Sequence, residues 1–260
     1  MIKTLKIILL LVFIAGVGYL VMFTNREHRK AKCSGLDIEL LTGDEDSLIT
    51  HNQVKNLIDT HFDSLTERSL ENISISKIEE TLKNNPFIKD VDVFVTMNRK
   101  IKVKILSYTP LVRVIINRSQ SFYLDTKGYF VPVNPHHPMH VVLTNGNLNT
   151  HIPDSAIAQN LHFKKINNFS VIKEIFNLAK QINTNQFLNA QVEQIYRNQE
   201  NEYELIPKIG DQLIIFGAAS KIERKLKKLE AVYKQAIPKS GWKTYKAINL
   251  KYENQVVCSK

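Results

Sequence analysis

Cysteine is nearly absent. The two thiols, Cys33 and Cys258, stand at opposite ends of the folded region with no spacing pattern, so they make neither a zinc site nor a disulfide framework and read as two isolated thiols. Catalytic signatures are missing too. There is no Gly-rich phosphate loop, no G-x-S-x-G and no H-E-x-x-H, which leaves an enzyme reading without support. The sequence also lacks repeats of fixed period and low-complexity segments, which excludes solenoid and disordered architectures. His136, His137 and His140 crowd the stretch NPHHPMH, but no Cys, Asp or Glu stands close by to complete a shell, and the segment reads as a polar loop. The acids of TGDEDS read as a solvated turn in preference to a weak calcium site. No cofactor, metal or small-molecule substrate is expected.

Charge, by contrast, is plentiful and uneven. The formal net charge is +10, and residues 221 to 260 hold eleven Lys and Arg against three Glu. Such asymmetry points to an acidic partner, an anionic membrane surface or nucleic acid. At the other end, residues 7–23 (IILLLVFIAGVGYLVMF) carry no charge and as a helix would span about 25 Å, close to a hydrocarbon core. The run could be a cleaved signal, a lipoprotein signal ending at Cys33 or an uncleaved anchor. No small-residue cleavage site follows it, and the residues before Cys33 are basic, which favours the anchor. Lys3 and Lys6 on one flank are outnumbered by Arg26, Arg29, Lys30 and Lys32 on the other. Long domains nevertheless translocate largely regardless of charge, so the large domain is expected outside the inner membrane. An exported domain argues against nucleic acid as the partner.

The intervening pattern gives two domains: a head at 1–6, the anchor at 7–23, a linker at 24–35, a first domain at 36–108 and a second at 109–260. LDIELL reads as a strand. Thr50 with Gln53, Ser76 with Glu79, and Ser220 with Glu223 each fit a helix-opening capping box. Val54, Leu57 and Ile58 mark one apolar helix face, and Ile78 with Leu82 another that Pro86 stops. Val91, Val93, Val95 and Met97 alternate with polar or outward residues, as do Ile101, Val103 and Ile105 with lysines, predicting a hairpin that turns at Asn98-Arg99. The first domain is thus strand, helix, helix, strand, strand. Beyond Pro110 come short strands at LVRVII, SFYLD, YFVPV and MHVVLTN, with Asp125 to Gly128 as a turn. A helix from about Ser170 to Ile182 buries Ile172, Ile175, Phe176, Ala179 and Ile182. Strands follow at QVEQIYR, EYELIPK and QLIIFG. Next comes a helix with Ile222, Leu226, Leu229 and Tyr233 inward and a basic outer face, and the chain ends in TYKAINL and NQVVC. The fold class is α+β.

The strand and helix order, with NPFIKDVDV between the second helix and second strand, resembles a POTRA domain. Together with ILSYTPLVRV, the Asp125–Gly128 hairpin and the closing INLKYENQVV, it makes nearly the whole chain similar to the bacterial cell-division family FtsQ/DivIB. The resemblance implies a non-enzymatic, single-pass scaffold at the division septum. Its implied partners are FtsB-like and FtsL-like single-span coiled-coil proteins, held by strand addition at the last strands. The matching positions are Leu250, Lys251 and Tyr252, with Glu253, Asn254, Gln255, Val256 and Val257 following. Asn249 and Lys251 stand where the family commonly has an acidic residue and arginine. A basic partner face is expected from Lys221, Arg224, Lys225, Lys228 and Lys246, which would attract an acidic neighbour. The competing reading is a POTRA-containing factor of envelope assembly or protein translocation.

Overall fold

The computed structural model describes residues 9–10, 12–19, 31–43, 47–62, 65–66 and 68–260. Part of the expected anchor, 7–23, and most of the linker, 24–35, therefore lie outside the described residues. The described anchor positions 9–10 and 12–19 are helical, and Leu9, Leu10, Val12, Phe13, Ile14, Val17 and Tyr19 are between 45% and 69% exposed. Among the described residues no helix is long and apolar enough to cross a membrane. The chain divides into two compact units, one of Met1–Asp44 with Ile49–Ser107, the other of Glu45–Leu48 with Tyr108–Lys260.

The first unit runs β1 (Gly35–Leu40), α1 (His51–Phe62), a 3-10 turn at Leu70–Asn72, α2 (Ile75–Lys83), β2 (Ile88–Val95) and β3 (Lys100–Ser107). Its sheet has the order β1-β3-β2, with β1 parallel to β3 and β2 antiparallel to it. Alternation decides which side is buried, because successive strand side chains point to opposite faces. Ile101, Val103 and Ile105 are fully buried, with Val91 and Val93 nearly so, under Val54, Ile58, Ile78 and Leu82 of the two helices. The capping box at α1 forms reciprocally: Gln53 N donates to Thr50 Oγ1 at 3.3 Å and Thr50 N to Gln53 Oε1 at 3.0 Å.

Two local expectations for this unit are corrected. The cap of α2 is Ser74, whose hydroxyl accepts from Lys77 N; Ser76 lies inside the helix and Glu79 instead pairs with Lys83 at 2.6 Å. Starting the helix earlier brings Ile75 against the core, and that burial outweighs a better cap at Ser76. Met97 does not extend the inward row of β2. The inward row stops at Val93: Val95, the last residue of the strand, is 36% exposed, and the turn takes Met97 to 94%, with Arg99 at a left-handed φ of 61°.

The second unit contains one nine-stranded sheet. Its elements are β4 (Pro110–Ile115), β5 (Ser121–Asp125), β6 (Phe130–Pro132), β7 (Val142–Gly146), α3 (Asp154–Ala158), α4 (Ser170–Thr184), α5 (Gln186–Gln191), β8 (Val192–Arg197), β9 (Tyr203–Pro207) and β10 (Leu213–Gly217). They continue with α6 (Ile222–Ala231), a π-helical turn at Val232–Ala236, α7 (Ile237–Ser240), β11 (Ala247–Asn249) and β12 (Val257–Ser259). The strand order is β12-β11-β10-β9-β8-β7-β4-β5-β6. All five apolar residues expected inward on α4 are buried, and with Leu226, Leu229 and Tyr233 they join Val112, Ile195, Leu205, Ile214 and Ile248 of the sheet in one core.

Asp125 closes the β5–β6 turn by accepting from Lys127 N at 2.9 Å and Tyr129 N at 2.8 Å. Gly128 is required there, since its φ is 91° and a Cβ would lie 2.5 Å from the Phe163 ring. The capping box expected at Ser220 is absent. Lys221 is the N-cap of α6, in the left-handed region and without a side-chain cap, while Glu223 pairs with Lys227 at 2.7 Å.

Candidate functional site

The last two strands of the chain, β11 and β12, form one margin of the second sheet. β11 joins β10 in parallel, so the chain must cross over between them, and α6 with its π-helical extension makes that crossing. After β11, Leu250 is fully buried and its N–H donates to Ile215 O at 2.9 Å. The chain then leaves the sheet as an exposed strap, 251–255, and returns antiparallel to β11 as β12. β12 is the outermost strand, and no strand lies beyond it among the described residues. Within the returning segment Val256 and Cys258 pack against the core while Val257 is 42% exposed.

The strap does not stand free of α6. Lys228 Nζ donates to the carbonyls of Leu250 at 2.9 Å and Tyr252 at 2.5 Å. Arg224 donates to Glu253 O at 2.8 Å and to Asn254 Oδ1 at 2.7 Å. Lys221 pairs with the Glu253 carboxylate. Charged donors on backbone carbonyls are the stronger class of hydrogen bond, so the first two turns of α6 set the shape of the strap. Lys225 is not on an outer face at all: it is 8% exposed, lies 4.8 Å over the Phe216 ring and donates to Ala218 O at 2.7 Å. Its buried ammonium turns an expected solvated charge into a packed one, because Phe216 offers its ring face and Ala218 its carbonyl.

These groups surround a cleft of about 300 Å³ lined by the α6 cations, Leu250 to Glu253, and Glu202 from the turn between β8 and β9. Lys251 crosses to Glu202 at 2.7 Å. Gly217 makes room for this crossing: its φ is 75°, and a Cβ would lie 2.8 Å from Lys251 Cγ. Tyr252 is 49% exposed. Burial and the neighbouring Lys228 push the Lys225 ammonium below its ordinary pKa, and burial with Arg224 does the same to Lys228. The Glu253 carboxyl is held below the usual carboxylate range by Lys221.

The structure therefore brings together Lys221, Arg224, Lys225 and Lys228 with Leu250, Lys251, Tyr252 and Glu253. Lys246 stands apart, its backbone N–H donating to Ser259 O at the β11–β12 pair. Asn254 and Gln255 are exposed on the strap, and Val256 and Val257 lead into β12. Glu202 is the lining residue that the sequence does not announce. It sits in a turn built by Asn198, whose Oδ1 accepts from Glu202 N at 2.9 Å, far along the chain from the residues it meets.

A family model described as FtsQ/DivIB, C-terminal related, matches residues 109–259, more than half of the chain and all of the site just described. The chain belongs to the FtsQ/DivIB family. A second model, for a POTRA-like domain, matches residues 31–106. No curated protein matches the chain significantly. FtsQ/DivIB proteins are in general non-enzymatic scaffolds of cell division that act through protein–protein contacts, and a POTRA-like unit followed by a strand-rich α+β unit gives this member that two-part build.

Proposed function

We propose that this chain captures FtsB-like and FtsL-like single-span coiled-coil division proteins at the septum by accepting a partner strand along β12. The observation that carries the reading is the place of β12 at the end of the nine-stranded order. A sheet margin presents backbone donors and acceptors that an added strand completes as a ladder. Side chains must then select the partner, since a backbone ladder is indifferent to sequence. The half-exposed Tyr252 beside that margin offers a rigid aromatic face, and Lys251 with the α6 cations supplies the complement to an acidic segment. The contact set, expected over Leu250 to Val257, takes in the exposed strap from Lys251 to Gln255 and continues into β12, with the buried Leu250 beneath it.

The apolar run 7–23 holds the protein in the inner membrane as a single-pass anchor, with both units on the outer side. The charge-free length of the run and the exposed apolar side chains of its described positions support this. Cysteine labelling of Cys258 in intact cells with a reagent that does not cross the inner membrane checks the orientation.

Capture is tested with the detergent-solubilised full chain and the extracytoplasmic segment of the coiled-coil partner. Val257→Pro removes a donor from β12, and Tyr252→Ala removes the aromatic face. Each is expected to weaken capture about tenfold or more, with unchanged circular dichroism. Unchanged capture in both variants would remove the terminal strand from the site. Co-purification with outer-membrane assembly components in place of division proteins would favour the envelope-assembly role.

A further inference from the structure

The cleft between α6 and the strap already contains anions, and both belong to the chain itself. Among its lining residues five cations, Lys221, Arg224, Lys225, Lys228 and Lys251, face two carboxylates, Glu202 and Glu253. The carboxylates come from different elements, one from the β8–β9 turn and one from the strap. Each bonds a single lysine: Glu202 takes Lys251 and Glu253 takes Lys221. The paired side chains keep substantial contact with water, 59% and 61% exposed for Lys221 and Glu253, 45% and 31% for Lys251 and Glu202. Ion pairs so exposed hold weakly and exchange readily for an equivalent anion.

Positive charge remains after both pairs are made. Arg224 uses one terminal nitrogen for Glu253 O and Asn254 Oδ1, and no hydrogen bond engages its other nitrogens among the described residues. A guanidinium with open donors is suited to bidentate capture of a carboxylate. Burial first, and then the neighbouring cations, hold the Lys225 and Lys228 ammonium groups below their ordinary pKa, and an anion that enters offsets the repulsion among these cations.

We infer that Glu202 and Glu253 are internal stand-ins for the carboxylates of an acidic peptide segment, which occupies the cleft by displacing them from Lys251 and Lys221. Two acid positions supplied by separate elements fit carboxylates spaced along a chain better than one compact phosphate. The floor includes Leu250 and Ala218, which suits a peptide backbone between the charges. Glu253 exchanges first, because it is the more exposed of the two and rides on the strap. The inference rests on the reading that this end of the second unit captures a protein, and it adds a consequence that runs against simple deletion logic. Two acids within the binding region act as competitors, so neutralising either one strengthens capture.

The test is fluorescence anisotropy of a labelled tetraglutamate peptide with the full chain in detergent at low salt, for wild type, Glu253→Gln, Glu202→Gln and the double variant Glu253→Gln/Arg224→Gln. Each single variant is expected to bind the peptide about threefold to tenfold more tightly, and the double variant to lose that gain. Glu202→Gln leaves the strap bonds of Lys228 and Arg224 in place, so a disturbed strap in Glu253→Gln cannot hide the effect. Equal or weaker binding in both single variants overturns the inference, as does a gain that survives loss of Arg224 or competition by inorganic phosphate as effective as unlabelled peptide. Val257→Pro is expected to leave tetraglutamate binding unchanged while weakening capture of the coiled-coil segment about tenfold or more. A failed strand site thus shows in partner capture alone, and a failed exchange in the peptide titration alone.

Discussion

Tyr203 converts burial into pH dependence. Its ring is fully buried and its hydroxyl donates to Glu174 Oε2 at 2.8 Å. Burial first, and then the Glu174 carboxylate, push the phenol far above its ordinary value of 10.0; burial also raises Tyr233 and Tyr108. A raised folded-state pKa means that above pH 10 the unfolded chain releases protons that the folded chain keeps. The stability contribution is complete below the unfolded value and lost as pH climbs toward the folded one. An ultraviolet absorbance titration should therefore find Tyr203, Tyr233 and Tyr108 ionising later than a free phenol, with Tyr203 the most delayed. Replacing Tyr203 by Phe should cost about 1.5–3 kcal/mol at neutral pH, the range for a hydrogen bond to a charged group, and reduce the alkaline loss. Arg99 offers the opposite sign. Its left-handed φ of 61° strains any residue with a Cβ, so Arg99→Gly should stabilise the hairpin by about 0.5–1 kcal/mol, read as a rise in Tm.

At the scale of elements, the competing caps of α2 separate cleanly. Ser74→Ala should cost about 1 kcal/mol in denaturant unfolding, whereas Ser76→Ala, at an exposed interior position, should be neutral or slightly stabilising. The misplacement has an identifiable physical origin. Ser76-x-x-Glu79 satisfies a local rule, but the helix start was decided by Ile75 reaching the core, a tertiary term invisible to a four-residue window. Lys225 tells the same story, for nothing in IERKLKKLEA marks one lysine as lying over an aromatic ring on a neighbouring strand. What the sequence made legible was whatever period alone determines: the inward row of β3 and the Val91–Val93 part of that of β2, the buried face of α4, and the strand-helix-helix-strand-strand order of the first unit. Glu202 was illegible because its meeting with Lys251 depends on strand order, which brings β9 and β10 between the turn and the strap. The short α3, α5 and α7 escaped for want of enough turns to show a period.

The whole molecule carries two apolar cores, one centred on Ile101, Val103 and Ile105, the other on Ile172, Ile195 and Ile214. Separate cores predict departure from a single cooperative transition. Scanning calorimetry should give a calorimetric enthalpy above the van't Hoff value. Val103→Ala should displace one component and Ile195→Ala the other, each by a cavity cost of about 1–4 kcal/mol.

The strand at the open margin is only three residues long, Val257–Ser259, and Lys246 and Lys260 stand at the end of its pairing with β11. So brief and charge-flanked a template offers few bonds to a second copy of itself. This margin of the sheet is therefore a poor seed for the chain's own polymerisation.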